Sequence, residues 1–218
     1  MTQLFRPAAD TILRFAFLVG AGTMIGGLTI AGGLWTSDYA SGVGVAPAQP
    51  VPFSHQHHAG ELGIDCRYCH TGVETSASAG LPPTYTCMSC HSQIWTGAGM
   101  LGPVRESLAR GEPLRWRRVN DLPDYAYFHH GAHVSKGVGC SSCHGDVTSM
   151  NLTRKVETLH MSFCLGCHRE PEQALRAPGD IWDMRWTPPS DQAQQGALRA
   201  QHHGIDAARL DNCSTCHR

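Results

Sequence analysis

Five short stretches use up every cysteine in this 218-residue chain: CRYCH at 66–70, CMSCH at 87–91, CSSCH at 140–144, CLGCH at 164–168 and CSTCH at 213–217. Two thiols separated by two residues can add to the two vinyl groups of one porphyrin. The histidine that follows then lies under the ring, where its imidazole can bind iron. Cys-x-x-Cys-His is accordingly the attachment motif for haem c. Histidine is 14 of 218 residues, so five such endings arise by chance about once in a million. Zinc also uses Cys-x-x-Cys pairs, but ten thiolates would group into four-thiolate sites with one pair spare, and zinc has no need of a histidine after every pair. The motifs therefore predict five covalently bound haems c. Their thioether positions are Cys66 and Cys69, Cys87 and Cys90, Cys140 and Cys143, Cys164 and Cys167, and Cys213 and Cys216. Their proximal iron ligands are His70, His91, His144, His168 and His217.

A second set of histidines repeats. Phe53-x-His55-x-x-His58 stands seven residues before the first motif, and sixteen residues separate that motif from the second. Phe128-x-His130-x-x-His133 stands six residues before the third motif, and nineteen residues separate it from the fourth. Each module thus holds two haem motifs and two extra histidines. Four haems in two modules need four distal ligands, and His55, His58, His130 and His133 are four. A spacing of three puts both imidazoles on one face of a helical turn, within reach of two neighbouring irons. The leading phenylalanine is expected against a ring. His57 and His129 fall outside the frame and read as spare histidines or propionate partners. The sixth ligand of the fifth haem is open among His160, Met161, His202 and His203. A methionine there would raise that haem's potential above its bis-histidine neighbours. Met88, Met100, Met150 and Met184 read as packing residues.

The elements that position these motifs are modest. From residue 40 onward, Leu, Ile, Val and Phe total 29 of 179 residues, while Gly and Pro make up 37 of the whole chain. Such a composition cannot bury enough aliphatic surface to offset its conformational entropy. The expected fold is therefore mostly irregular, with short α-helices wrapped around five haems and little β. A short helix is predicted over 102–111, with Pro at its start and Gly at its end. In 114–128, Arg115, Arg117 and Arg118 around Trp116 read either as a propionate or partner clamp or as a solvated basic turn. Residues 169–218 read as an extended arm carrying the fifth haem away from the second module, with a helix capped by Ser190 and closed by Gly204.

Residues 15–35 carry no charge and match the length of a bilayer core. Arg6 and Arg14 precede them and Asp38 follows, so the positive-inside rule puts residues 1–14 in the cytoplasm. The competing reading is a signal peptide cleaved after Ala46-Pro47-Ala48, but its apolar region would be shorter. The expectation is a retained single-pass anchor in a bacterial inner membrane, a linker over 36–52, and a periplasmic pentahaem domain over 53–218, with two-haem modules at 53–91 and 128–168. Gly22-x-x-x-Gly26 permits close approach of another membrane helix. A formal net charge of −1 leaves no basic footprint for nucleic acid.

VPFSHQHHAGELGIDCRYCH, LPPTYTCMSCH, VNDLPDYAYFHHGAHVSKGVGCSSCH and the closing CSTCHR together resemble the pentahaem cytochrome subunit of alternative complex III, a bacterial quinol-oxidising membrane complex. The modules are also similar to cytochromes of the c3/c7 type. The resemblance implies four bis-histidine haems and one His/Met haem, with the methionine falling on Met161. It implies as partners an iron–sulfur protein, polytopic quinol-binding subunits and a monohaem cytochrome. Electrons would pass outward, in a respiratory or photosynthetic complex, to a periplasmic acceptor or a terminal oxidase. Ten ligands for five irons leave none open for substrate, which favours electron transfer over catalysis at a haem. Pentahaem nitrite reductases commonly replace one motif histidine by lysine, and here all five motifs end in His. Small membrane-anchored multihaem quinol dehydrogenases oxidise quinol themselves. Their first haem usually draws a Met from just beyond its motif, where this chain has Thr71-Gly72-Val73.

Overall fold

The structure, a computed structural model, describes residue 6 and residues 8–217. Residues 1–5 and Pro7 of the expected cytoplasmic segment lie outside the described residues. The chain divides into two compact units, Met1–Val43 and Gly44–Arg218.

The first unit is dominated by helix α1, Ala8–Thr36, with a mean hydropathy of 1.7 and no buried residue. The uncharged stretch 15–35 lies inside it. The helix begins earlier than that stretch because Asp10 and Arg14 pair one turn apart, at 3.0 Å. At 29 residues it is about 44 Å long, more than the roughly 30 Å of a hydrocarbon core. Its few polar side chains bond inward: Thr23 Oγ1 donates to the Gly20 carbonyl and Thr29 Oγ1 to that of Gly26.

The second unit is mostly short helix and irregular chain. Its longer helices are α2 (Thr84–His91), α3 (Gly102–Arg110), α4 (His130–Ser135), α5 (Met161–Arg169) and α6 (Gln192–His202). The β structure among the described residues is one isolated bridge, Val138 to Leu175. All five Cys-x-x-Cys-His motifs fall on helical turns. That is what the chemistry needs, because residues three apart on a helix share a face and both thiols then point to one side. Capping starts two of these turns: Asp65 accepts from Arg67 N, and Asn212 accepts from Ser214 N.

The aliphatic core is as small as the composition implies. Val51, Leu101 and Val104 form its buried centre, with Met88, Leu114 and Trp116 packed against it. This cluster ties the 114–128 segment to the first module. The Gln49 side-chain amide adds to it by both donating to and accepting from the backbone of Arg117, at 2.8 and 2.9 Å. Arg118 meets Asp121 at 3.3 Å on the surface.

Helix α3 follows its prediction, closing on Gly111 at φ +67°. Helix α6 ends before Gly204 at φ +61°, as expected, but starts after Asp191 and is not capped by Ser190. The reading of 169–218 as an extended arm is corrected. Its prolines open tight 3-10 turns at Pro171–Gln173 and Pro178–Asp180 instead of an extended run. Leu175 between them is buried. The buried Gln192 amide then satisfies the carbonyls of Glu172 and Leu175 at 2.8 and 2.9 Å. The last motif is held back against the second module, where Tyr127 N donates to Cys216 O at 2.7 Å and Lys136 Nζ to His203 O at 2.9 Å.

The two modules are cross-braced. His130 N and Gly131 N, from the second histidine frame, donate to Ala77 O and Ser76 O of the first module. Gln56 N, from the first frame, donates to Met150 O of the second. Glycine permits both approaches. A Cβ at Gly131 would lie 2.8 Å from Glu74 O, and one at Gly60 would collide with the Thr148 carbonyl. Gly60→Ala is therefore expected to lower stability by about 1–3 kcal/mol. Gly97→Ala, which adds a methyl to open space, is expected to lower it far less. Equal denaturation midpoints for the two variants would contradict this bracing.

Candidate haem sites

The two histidine frames have one geometry on two different backbones. In the first, His55 precedes a π-helical turn, Gln56–Glu61. In the second, His130 opens the regular helix α4. Phe53 nonetheless meets His55 edge-on at 4.9 Å and stacks on His58 at 4.4 Å, while Phe128 meets His130 edge-on at 4.7 Å and stacks on His133 at 4.5 Å. The ring against which each phenylalanine sits is thus an imidazole pair, which it holds apart and fixes in plane.

Each of these imidazoles faces a motif histidine. His55 faces His70 with ring centroids 6.4 Å apart, and His58 faces His91 at 6.2 Å. His130 faces His144 at 6.4 Å, and His133 faces His168 at 6.1 Å. Two imidazoles on opposite faces of one iron, each at the roughly 2 Å of a metal–imidazole bond, have centroids about 6 Å apart. All four spacings fit an iron between the rings. The planes are nearly parallel for His55/His70 and His130/His144, at 4° and 9°, and cross at 65° for His58/His91.

The far nitrogens complete the fit. A backbone carbonyl can only accept, so a ring nitrogen against one must carry the proton. Nδ1 of His70 donates to Gly80 O at 2.8 Å, and those of His91, His168 and His217 donate to Ile94 O, Leu210 O and Tyr125 O at 3.0–3.3 Å. His58, His130 and His133 donate to Ser54 O, Ala77 O and His129 O at 2.8–2.9 Å. His55 Nδ1 meets Thr153 Oγ1 at 2.8 Å. Wherever the partner is a carbonyl, Nε2 keeps its lone pair for a metal, and the Thr153 hydroxyl can accept from His55 Nδ1–H to the same end.

His144 Nδ1 lies 2.9 Å from the Asn120 side-chain nitrogen, while the buried Asn120 Oδ1 has no partner. With the amide turned over, Oδ1 accepts from Nδ1–H, the tautomer a ligating His144 requires. His129 differs, because its Nδ1 accepts from Ala132 N, which places its proton on Nε2. His57 pairs with Glu61 at 2.9 Å.

Burial favours the neutral form of four of the facing rings, His55, His58, His133 and His144. Burial first, and then the imidazoles of His70, His58 and His144, pull His55 down to about 4. Burial, followed by His130 and His70, does the same to His144. Burial lowers His58 and His133 as well. A neutral imidazole at physiological pH is the form that binds a metal.

The fifth motif is built differently. Among the described residues no imidazole faces His217 at the spacing of the other four; its ring neighbour is Tyr125 at 5.9 Å. His202 and His203 lie against one another at 5.2 Å. Met161 opens α5, is 60% exposed, and stands one helical turn before Cys164. His160 precedes it, after Leu159 in a left-handed conformation at φ +55°.

The motifs form a file. Tyr68 and Ser89, inside the first and second motifs, share a hydrogen bond of 2.9 Å. Burial raises the thiols along the file, and neighbouring sulfur adds to it: Cys87 acts on Cys69, Cys66 on Cys140, Cys167 and Cys164 on Cys143, and Cys216 on Cys164. CMSCH thus lies next to CRYCH, CRYCH next to CSSCH, CSSCH next to CLGCH and CLGCH next to CSTCH, an order with the first two reversed from chain order. Sequence reasoning had no signal for Asn120, Thr153 or this order, because each depends on contacts between distant segments.

Residues 126–218 match the family of cytochrome c7 and related cytochrome c. The chain is 32% identical over 137 residues to the menaquinone reductase multiheme cytochrome c subunit of Nitratidesulfovibrio vulgaris, an alignment covering 60% of this chain and 56% of that protein. It thus spans little more than half the length of that curated relative. The family match begins two residues before Phe128 and takes in the second histidine frame and the last three motifs. Residues 126–218 are thus similar to the cytochrome c7 family, and their helical fold, facing imidazoles and three Cys-x-x-Cys-His motifs suit attachment of haem c.

Proposed function

We propose that this chain is a membrane-anchored five-haem electron-transfer subunit of a quinone-linked membrane complex. The observation that carries the reading is the set of four imidazole pairs, His55/His70, His58/His91, His130/His144 and His133/His168, each spaced for one iron. A bound haem supplies one-electron Fe(III)/Fe(II) chemistry. The chain's own residues do the rest. Ten cysteines fix the porphyrins, nine imidazoles present Nε2, and the Nδ1 partners hold each ring in its tautomer and plane. Met161, the methionine on which the resemblance falls, is the sixth ligand of the fifth site; among the described residues no imidazole faces His217 as in the other four. Both positions of each iron are then protein-filled, which suits relay rather than substrate turnover.

Helix α1 is the anchor, and the haem domain lies on the periplasmic side, where haem c is attached. The partners are those that the resemblance implies: an iron–sulfur protein, polytopic quinol-binding subunits and a monohaem cytochrome. The name of the Nitratidesulfovibrio relative supports a quinone-linked assembly. The outward direction, from quinol to a periplasmic acceptor or terminal oxidase, follows the resemblance to alternative complex III.

The test is reduction of the isolated full-length chain in detergent by reduced quinone, followed at the haem α band. A relay that receives electrons from its complex stays oxidised with quinol and is fully reduced by dithionite. Rapid reduction by quinol would mean the chain carries its own quinol site, as a small quinol dehydrogenase does.

A further inference from the structure

Arg176 is a buried cation set directly under the third motif. It is 4% exposed. One guanidinium nitrogen donates to Ser141 Oγ and Ser142 Oγ at 2.9 and 3.0 Å, and these are the two residues between Cys140 and Cys143. The other donates to the carbonyls of Asp183 and Asp180, at 3.1 and 3.5 Å. Trp186 lies across its face at 4.2 Å. Nε is buried without a partner. A side chain on Gly139 would run into the guanidinium, so that glycine lets the charge reach the motif.

Every hydrogen bond of this guanidinium goes to a neutral oxygen. The Asp180 and Asp183 carboxylates favour its charged form from nearby, but among the described residues neither comes within ion-pair distance. Burying a charge without a paired counter-ion is costly, and such a charge is seldom kept without a use. The neighbouring CRYCH motif makes the contrast. Its Arg67 is exposed, grips Asp65 through two bonds of 2.8 and 2.7 Å, and has Glu74 nearby. One of the two motifs thus carries a solvated arginine paired with a carboxylate, and the other a buried arginine whose hydrogen bonds go to neutral oxygens.

We propose that the Arg176 charge raises the reduction potential of the haem at Cys140–His144 above that of its neighbour at Cys66–His70. This rests on the reading of both motifs as haem sites. A fixed positive charge in a water-poor setting opposes the ferric state, which carries one more positive charge than the ferrous state. An electron leaving the ferrous iron of the CRYCH site then reduces the ferric iron of the CSSCH site in a downhill step. Arg176 thereby biases the middle of the file toward the CLGCH and CSTCH end.

The test is a spectroscopic redox titration of the full-length holoprotein with Arg176→Met, Arg176→Lys and Ser142→Asp, after counting haems per chain. The affected component is identified as the one that His130→Ala turns high-spin. Arg176→Met is expected to lower its ferrous-to-ferric ratio at the wild-type midpoint about tenfold, a shift of about 59 mV for one electron. Arg176→Lys keeps the charge but loses the planar fork, and is expected to stay nearer wild type than Arg176→Met. If Arg176→Met does not retain its haems, Ser142→Asp decides, because a carboxylate beside the intact guanidinium should lower the same component. An unshifted component in Arg176→Met or Ser142→Asp overturns the proposal. So does an Arg176→Lys shift as large as that of Arg176→Met, which would assign the effect to the hydrogen-bonding fork. A wild-type chain with fewer than five haems would instead overturn the haem reading beneath it.

Discussion

His55→Ala turns one haem of five from low-spin to high-spin and leaves the other four unchanged. The expectation follows from the facing pair. His55 and His70 have ring centroids 6.4 Å apart with planes 4° from parallel, and Thr153 Oγ1 meets His55 Nδ1 at 2.8 Å. Removing one imidazole leaves the iron on its motif histidine alone, with a weak-field water or no sixth ligand. The effect is confined to one site because each frame histidine faces a different motif. His58 serves His91, and Phe53 separates it from His55 by stacking on one ring and meeting the other edge-on. His57→Ala is the control, since that ring lies along Trp95 at 6.3 Å and not against a motif histidine, and it should leave all five spectra intact. A His55→Ala protein with an unaltered low-spin spectrum would remove His55 from the ligand set and undo the pairing argument for the other three frame histidines.

Met161→Ala is expected to abolish the highest-potential component of the redox titration while the other four remain. A thioether donates less strongly than an imidazole and stabilises the ferrous state, so a His/Met haem stands above bis-histidine neighbours. The other four motif histidines already face imidazoles, which leaves His217 as the site for a different donor. Met161 is one helical turn ahead of Cys164, whose sulfur lies within electrostatic reach of Cys216. Met161→His should keep that haem low-spin and lower its potential toward the others. A Met161→Ala titration that superimposes on wild type would pass the role to another donor, with His160 the nearest.

What could be read from the residues alone divides along a physical line. The motifs, the two frames and helix α3 are local: spacing, a starting proline and a closing glycine determine them within a few residues. The geometry within each frame is local too, because a histidine two residues after Phe53 or Phe128 has its position set by that turn, even though one turn is π-helical and the other α-helical. The pairing of each frame histidine with a motif is not local. It depends on how residues 53–61 meet 148–151 and on how 130–131 meet 76–77, contacts made by backbone groups that no side-chain pattern announces. The same holds for the folded-back segment 169–218. Its prolines and charges suit an extended chain equally well until Gln192 is available to bond Glu172 and Leu175. Asn120 is the sharpest case. Nothing in VNDLPDY marks one asparagine as the partner of His144, and only the side-chain amide lying 2.9 Å from that ring nitrogen reveals it.

The most direct test of the account is to locate the five irons in the haem-loaded protein by anomalous scattering or high-resolution density. The prediction is one iron between each of His55/His70, His58/His91, His130/His144 and His133/His168 and one beside His217. Together they form a single file ordered CMSCH, CRYCH, CSSCH, CLGCH, CSTCH. An iron held by any other histidine pair, or a branched arrangement in which the CRYCH and CSSCH sites are not neighbours, would contradict it.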